Sequence, residues 1–263
     1  MILGVIVTYN PNLSELIENI GLILPQVDKL VIFDNASVNQ EEIRNILSNE
    51  SIEILKSDMN VGLGAAYNKV VDLHSGKYDF LITFDQDTKI PKDLVANLMK
   101  LYSISDVGIV GPNFEMKKNS FTSYRDVHVL IQSACIFRMS LFNEIGGFNE
   151  KYFIDSVDFE FCLRVKKKGY RVLMSNTDYI KHELGVRKNM SFFSIITHSS
   201  IRNFYIARNH VDLSLRYFRY FPIFIVKKNI FFVLHFFKLL LFERNVKSIG
   251  YFISGFFKGF KEV

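Results

Sequence analysis

Apolar residues over the first hundred positions fall into short runs separated by stretches of helical spacing. Leu3–Thr8 is a compact, β-branched run that stops at Tyr9-Asn10-Pro11, the pattern of a buried strand feeding a turn. From Leu13 to Leu24 the apolar positions recur at intervals of three and four, which predicts a helix. Leu30–Phe33, Ile52–Leu55 and Phe80–Phe84 repeat the strand pattern, while Glu41–Leu47 and Gly64–Leu73 repeat the helical one. Strands alternating with helices at this spacing predict a mostly parallel sheet covered on both faces. Polar residues gather just after three strands, as Thr8-Tyr9-Asn10, Asp34-Asn35 and Asp85-Gln86-Asp87. Ligands of open α/β sheets sit beyond the carboxyl ends of the strands, so the three clusters predict one crevice.

From Val107 to Phe137 the pattern loosens. The pieces VGIVG and VHVLIQSACIF predict an added, partly antiparallel region. Leu141–Gly147 and Val157–Lys168 read as helices, the second closed by Gly169 after a basic run. Arg171–Met174 and Tyr179–His182 read as the last strands, and beyond Ser191 the chain reads as helical and aromatic to its end. The pattern predicts an α/β domain over 1–210, in halves 1–105 and 106–210, and a helical tail over 211–263.

Charge separates the same regions. Residues 1–186 carry 19 basic and 24 acidic side chains, whereas 187–263 carry 13 basic and 3 acidic ones, with 19 of the 38 Phe and Tyr residues and no Trp. A basic, phenylalanine-rich segment suits an anionic membrane surface. No helix-turn-helix, zinc-finger or RNP-type motif accompanies it, which argues against nucleic acid. Cys135 and Cys162 are too few for a disulfide framework and lack zinc spacing. MILGVIVTYN has no basic region before its apolar run, so no signal peptide is expected and the chain is expected in the cytosol.

Several clusters carry candidate chemistry. Asp85 and Asp87, one residue apart after an apolar strand, present hard oxygens to a divalent cation and the phosphates that it neutralises; a plain turn is the alternative. Asp34 can accept hydrogen bonds from a base or a ribose, or cap the next turn. The segment from Asn60 through Gly62 and Gly64 to Asn68 opens a helix whose N–H groups favour anions. It has neither dinucleotide-fingerprint nor phosphate-loop spacing, which argues against a nicotinamide or ATP enzyme. Asp155 and Asp158 share one face of a helix beginning near Asp155, where an ionised carboxylate can act as a general base or simply cap the helix. His182 ends a strand and suits an ion such as manganese, or a structural role. Arg202 and Arg208 lie one turn and a half apart, able to bind a pyrophosphate or to form a solvated face.

Taken together, VTYNP at the start, DNAS at Asp34–Ser37, NVGLGAAYN at 60–68, DQDT at 85–88, GGFNE and the HELG histidine resemble family-2 glycosyltransferases of the GT-A fold. LITFDQDT with YFIDSVDFEFCLR resembles the rhamnosyltransferase subgroup, which assembles bacterial surface polysaccharides. The resemblance implies a nucleotide-sugar-binding half over 1–105 and an acceptor-binding half over 106–210. It implies that Thr8, Tyr9 and Asp34 hold the base and ribose, with Asn10, Asn60, Gly62 and Asn68 beside them. Asp85 would face the ribose and diphosphate, Asp87 would ligate Mg²⁺ or Mn²⁺, and His182 would complete that site. Asp158 falls at the catalytic-base position. Many members read Glu-Asp there and this chain reads Val157-Asp158, so Asp155 is expected to share in orienting the acceptor. The expected reaction is an inverting transfer from a dTDP- or UDP-sugar, with L-rhamnose from dTDP-rhamnose first, to a lipid-linked glycan.

The tail segment Tyr220–Phe242 tests whether the chain spans a bilayer. Its sixteen Leu, Ile, Val and Phe residues contribute roughly −5 to −10 kcal/mol while its three lysines cost roughly 8 to 10. The sum favours a helix lying on the membrane over one crossing it, with packing on the catalytic domain or on a second subunit as the alternative. The expectation is a peripheral protein on the inner face of a bacterial plasma membrane, with a homodimer as the other use of the tail.

Overall fold

The computed structural model describes residues 1–46, 51–114, 122–180, 186–189 and 194–261. They form two compact units, Met1–Glu150 with Phe161–His182, and Lys151–Glu160 with Glu183–Val263.

In the first unit, β1 (Ile2–Thr8), α1 (Leu13–Ile23), β2 (Lys29–Asn35), α2 (Gln40–Ile46), β3 (Ile52–Ser57), α3 (Leu63–Leu73) and β4 (Phe80–Phe84) alternate as the hydrophobic pattern predicts. They are followed by α4 (Leu94–Lys100), β5 (Val107–Asn113), β6 (Tyr124–Asp126), β7 (Cys135–Arg138), α5 (Met139–Ile145), α6 (Val157–Lys167), of which the residues from Phe161 belong to this unit and the first turn to the second, and β8 (Arg171–Tyr179). The sheet order is β3-β2-β1-β4-β7-β5-β8-β6. β1 pairs in parallel with β2 and β4, β2 with β3, and β5 with β8. The antiparallel β7 joins the two parallel blocks by pairing with β4 and β5. Ile6, Leu30, Ile32 and Ile82 from the strands meet Leu16, Ile20 and Leu94 from the helices in one buried core. This burial accounts for the continuous apolar runs, because strands covered on both faces need no alternation.

The pattern differs from the structure in three places. Of VHVLIQSACIF only Cys135–Phe137 is strand, as part of β7; the residues before it turn, with Ala134 in the left-handed region at φ 57°. The two expected strands after Arg171 are one strand, β8, followed by the Ile180 amide donating to the Asn113 carbonyl (3.0 Å). The helical tail starts at Ser200, later than the pattern predicts, because β9 (Val186–Asn189) and β10 (Ser194–Thr197) form an antiparallel pair before it.

The second unit continues with α7 (Ser200–Tyr217), α8 (Pro222–Lys238), a π-helical turn at Leu239–Glu243 and α9 (Val246–Phe260). The π turn is one cause of the helix break, since Arg244 follows it in the left-handed region at φ 49°. α7 and α9 approach to backbone contact. A Cβ on Gly255 would overlap the Phe204 carbonyl oxygen, and one on Gly259 would lie 2.7 Å from that of Arg208. Among the described residues, no helix is long and apolar enough to cross a membrane.

Candidate functional site

Parallel pairing of β1, β2 and β4 aligns their carboxyl ends, and register puts Thr8 directly opposite Asp34. The Thr8 hydroxyl donates to Asp34 Oδ1 (3.0 Å). Ser37 donates its hydroxyl to the same oxygen (2.5 Å) and its backbone N–H to Oδ2 (3.1 Å). Asp34 is 1% exposed, so these three donors replace the water that its carboxylate lacks. Ser37 in turn accepts from the Asn10 backbone N–H (2.8 Å), and Asn10 Oδ1 accepts from the Val38 N–H (2.9 Å). Asn10 (φ 49°) and Ala36 (φ 69°) are non-glycine residues in the left-handed region, held there by this network. Such local strain persists only where surroundings over-determine it, and it concentrates at working sites.

Separate hydrogen bonds hold the residues beside this network. Tyr9, half exposed, donates its backbone N–H to Gln86 Oε1 (2.8 Å), and buried Asn19 donates to the Gln86 carbonyl (2.9 Å). Asp85 is half-buried, receives the Gln132 amide at Oδ1 (3.3 Å), and donates its own N–H to the Ser133 hydroxyl (3.3 Å). Asp87 is exposed. The side chain of Asn60 accepts from Asn35 (3.0 Å) and from the Gly62 N–H (3.0 Å), clasping the start of α3 to the end of β2. Gly62 caps α3 with φ 83°, a conformation open to glycine. Thr8, Asn10 and Asp34 thus share one hydrogen-bonded network, while Tyr9, Asp85 and the pair Asn60 and Gly62 are each held by separate hydrogen bonds at neighbouring strand ends.

Asn68 is used differently. Its amide donates to the Phe148 carbonyl (2.9 Å) and Glu150 (3.0 Å) and accepts from the Phe148 N–H (2.8 Å). Gly147 at φ 70° leaves room for it, since a Cβ there would stand 2.6 Å from Asn68 Oδ1. Phe148 sits among Tyr67, Phe137, Phe142 and Phe161, so the GGFNE turn is anchored by an aromatic core.

Asp155 and Asp158 lie in the second unit. The α6 helix begins at Val157, where the apolar spacing starts it, so Asp155 stands before the helix and not on one helical face with Asp158: Asp155 (φ 63°) and Ser156 (φ 61°) are both left-handed. Arg202 grips Asp155 with two nitrogens, Nη2 to Oδ1 at 2.9 Å and Nε to Oδ2 at 3.0 Å. The Asn209 amide donates to the carbonyls of Ile154 (2.8 Å) and Asp155 (2.6 Å). Arg208 donates to Asn209 Oδ1 (2.7 Å) and to the Lys151 carbonyl. Asp158 stands in the first turn of α6, accepting the Phe159 N–H at Oδ1 (2.8 Å). Lys228 lies 4.1 Å over the Phe159 ring; burial holds its ammonium below the ordinary lysine range, opposed by the charge of Asp158. Deeper, Glu160 accepts from Tyr217 (2.8 Å), and Asp212 accepts from Tyr152 (2.6 Å) and Arg216 (2.8 Å). Burial, then the Asp212 charge, pushes the Tyr152 phenol far above its usual range, so it remains a donor.

Ser37, Gln86, Gln132 and Ser133 were not singled out from the sequence. Ser37 and Gln86 sit inside quoted motifs, DNAS and DQDT, which was the available signal. Gln132 and Ser133 had none, being embedded in a run that reads as strand. His182 lies outside the described residues. Asp85 and Asp87 supply hard oxygen donors of the kind Mg²⁺ and Mn²⁺ take, but no cluster of three metal-binding side chains occurs among the described residues.

Comparison with known proteins places this architecture. The family model for glycosyl transferase family 2 matches residues 5–173. The chain is 27% identical over 234 residues to the dTDP-rhamnosyl transferase RfbF of Shigella flexneri, covering 79% of this chain and 78% of that protein. It is 21% identical over 233 residues to the low-salt glycan biosynthesis hexosyltransferase Agl10 of Haloferax volcanii, covering 78% and 75%. Among solved structures, GalNAc-T7 with UDP, GalNAc and Mn²⁺ aligns at TM-score 0.63 and 13% identity, over 81% of this chain and 47% of that one. S. aureus TarS 1–349 in complex with UDP-GlcNAc aligns at TM-score 0.54 and 17% identity, over 81% and 66%. These two likenesses are of fold, and the fold is GT-A. With the family model spanning more than half its length, the chain belongs to glycosyl transferase family 2, a rhamnosyltransferase-like glycosyltransferase built on a GT-A sheet.

Proposed function

We propose that the enzyme transfers L-rhamnose from dTDP-rhamnose to a hydroxyl of a growing, lipid-linked bacterial glycan, inverting the anomeric carbon, and that it works as a peripheral protein on the inner face of the plasma membrane. The observation that carries the donor half of this reading is the buried Thr8–Asp34–Ser37 network beside Asp85, at aligned strand ends where α/β sheets bind ligands. The sugar is supported by similarity to a dTDP-rhamnosyl transferase along most of both chains.

In this reading Thr8, Tyr9, Asn10 and Asp34, with Asn60 and Gly62, form the nucleoside end of the site. Asp85 and Asp87 fit a divalent cation by donor chemistry and would hold Mg²⁺ or Mn²⁺, with His182 as a further ligand. When bound, that ion offsets negative charge on the diphosphate. Asp158 takes the proton of the acceptor hydroxyl as its oxygen attacks the anomeric carbon. Asp158 takes the base position because the family motif puts it there, and Asp155, with both oxygens engaged by Arg202, orients the acceptor side. Arg202 and Arg208 then serve the acceptor side by fixing residues 151–156, and Asn68 by fixing the GGFNE turn.

A donor panel tests the proposal. With Mn²⁺ present, dTDP-rhamnose should raise the melting temperature more than UDP-galactose, UDP-glucose or UDP-GlcNAc, and EDTA should abolish the difference. A larger shift with a UDP-hexose would replace the rhamnosyl reading with a UDP-sugar transferase. No shift with any donor would favour a silent scaffold.

A further inference from the structure

Helix α8 is apolar on its outer side as well as on its inner one, where Ile225 is buried and Phe232 and Phe236 pack into a core. Ile223, Val226, Ile230, Leu234 and Phe237 recur at three- and four-residue spacing along one side, each between 47% and 73% exposed, and Leu241 in the following turn extends the stripe at 57%. Lys227 borders this stripe. The side packed against α7 carries the polar groups: Asn229 Oδ1 pairs with His210 Nε2 (2.8 Å), and His235 Nε2 pairs with Asn203 Oδ1 (2.9 Å). A soluble helix buries its apolar stripe and shows water its polar face. α9 likewise leaves Val246, Ile253, Phe257 and Phe260 exposed although Phe252 is buried and Gly255 and Gly259 lie against α7.

Charge selects what covers this face. Ser200–Lys261 holds eleven Lys and Arg against two acids, Asp212 and Glu243. Both acids are 6% exposed at the side chain and paired, Asp212 with Arg216 (2.8 Å) and Glu243 with Lys238 (2.9 Å). The charge that α7–α9 present outward is therefore of one sign. A second copy laid on the same face would set lysine against lysine, which is unfavourable. An anionic bilayer matches both features, acyl chains for the stripe and headgroups for the cations.

We infer that α8 is an in-plane membrane helix: its Ile223–Ile230–Leu234–Leu241 stripe seats in the acyl boundary of an anionic bilayer, and Lys227 and the lysines of α9 meet the headgroups. The inference rests on the peripheral placement proposed above and names the element and the chemistry responsible for it.

The chain contains no tryptophan, so Leu234→Trp creates a single tryptophan reporter in it. Its emission should shift to the blue on adding phosphatidylcholine–phosphatidylglycerol vesicles, and less so with pure phosphatidylcholine or at high salt. Leu73→Trp, at an exposed position closing α3, should stay unchanged. In flotation with the same vesicles, Ile230→Glu/Leu234→Glu should lower the bound fraction at least about tenfold, while the dTDP-rhamnose thermal shift is retained. A silent Leu234→Trp reporter, or flotation indifferent to the double substitution, would overturn the inference. So would a wild-type dimer in sedimentation that the double substitution converts to monomer, because a second copy would then own the face. Loss of donor binding with flotation intact would instead remove the transferase reading and leave the membrane face standing.

Discussion

Replacing Asp34 by Asn keeps the side-chain volume and removes only the charge and one acceptor. In the wild type, Oδ1 takes the hydroxyl hydrogens of Thr8 and Ser37 and Oδ2 takes the Ser37 N–H, all at a position 1% exposed. An Asn amide nitrogen placed at Oδ2 would face the Ser37 N–H, donor to donor. Placed at Oδ1, it would make both hydroxyls accept and take away the oxygen to which their hydrogens are donated. Either orientation leaves a buried donor without its charged partner, a loss of about 1–3 kcal/mol. For a unit of this size that is a fall in melting temperature of roughly 2–12 °C. Because the same network holds Asn10 and Ala36 in left-handed conformations, the dTDP-rhamnose thermal shift should fall with it. Thr8→Val should be destabilising by itself, and Asp34→Asn/Thr8→Val should lose less than the sum, with a coupling of about 1 kcal/mol. An Asp34→Asn protein melting within about 1 °C of wild type with an unchanged donor shift would refute this account of the site.

Asp158→Asn should leave donor affinity unchanged and lower transfer by roughly 10²–10⁴-fold in a labelled-sugar assay, whereas near wild-type turnover would remove it as the base. Asp87→Ala should make donor binding insensitive to EDTA in calorimetry; a persisting metal dependence would place the ion elsewhere. On α9, Gly255→Ala should cost about 1–3 kcal/mol by forcing α7 away, despite its gain in helix propensity, while Gly250→Ala, whose Cβ meets nothing within 4 Å, should stabilise by up to about 1. Urea denaturation of the pair should therefore show opposite signs. Burial lowers His210 and His235 to about 4, whereas unfolded histidines titrate near 6.5. Between those values the unfolded chain binds more protons, so stability is flat above pH 6.5 and declines as pH falls towards 4, by on the order of 2–3 kcal/mol for each imidazole. Thermal melts from pH 7.5 to 5 should show the decline, and His210→Gln/His235→Gln should flatten it.

The α/β alternation was legible in the chain because strands covered on both faces must be apolar throughout, as LGVIVT, LVIF and FLITF are, and because polar residues follow them where the sheet ends. Thr8, Asp34 and Asp85 could be nominated on that basis, and the motif set was sufficient to name the family. The partners that hold those groups could not. Gln132 reaches Asp85 across 47 positions, from the turn that precedes β7. Arg202 reaches Asp155 across the same separation, which turned one candidate base into half of an ion pair. Likewise, the tail's period announced an amphipathic helix, but periodicity reports how apolar a face is and never which side has company. Tertiary contacts decided that α8 keeps Asn229 and His235 inward and Ile230 and Leu234 outward. The reason is that burial is a property of what lies across from a residue, and the chain's order carries no record of that distance.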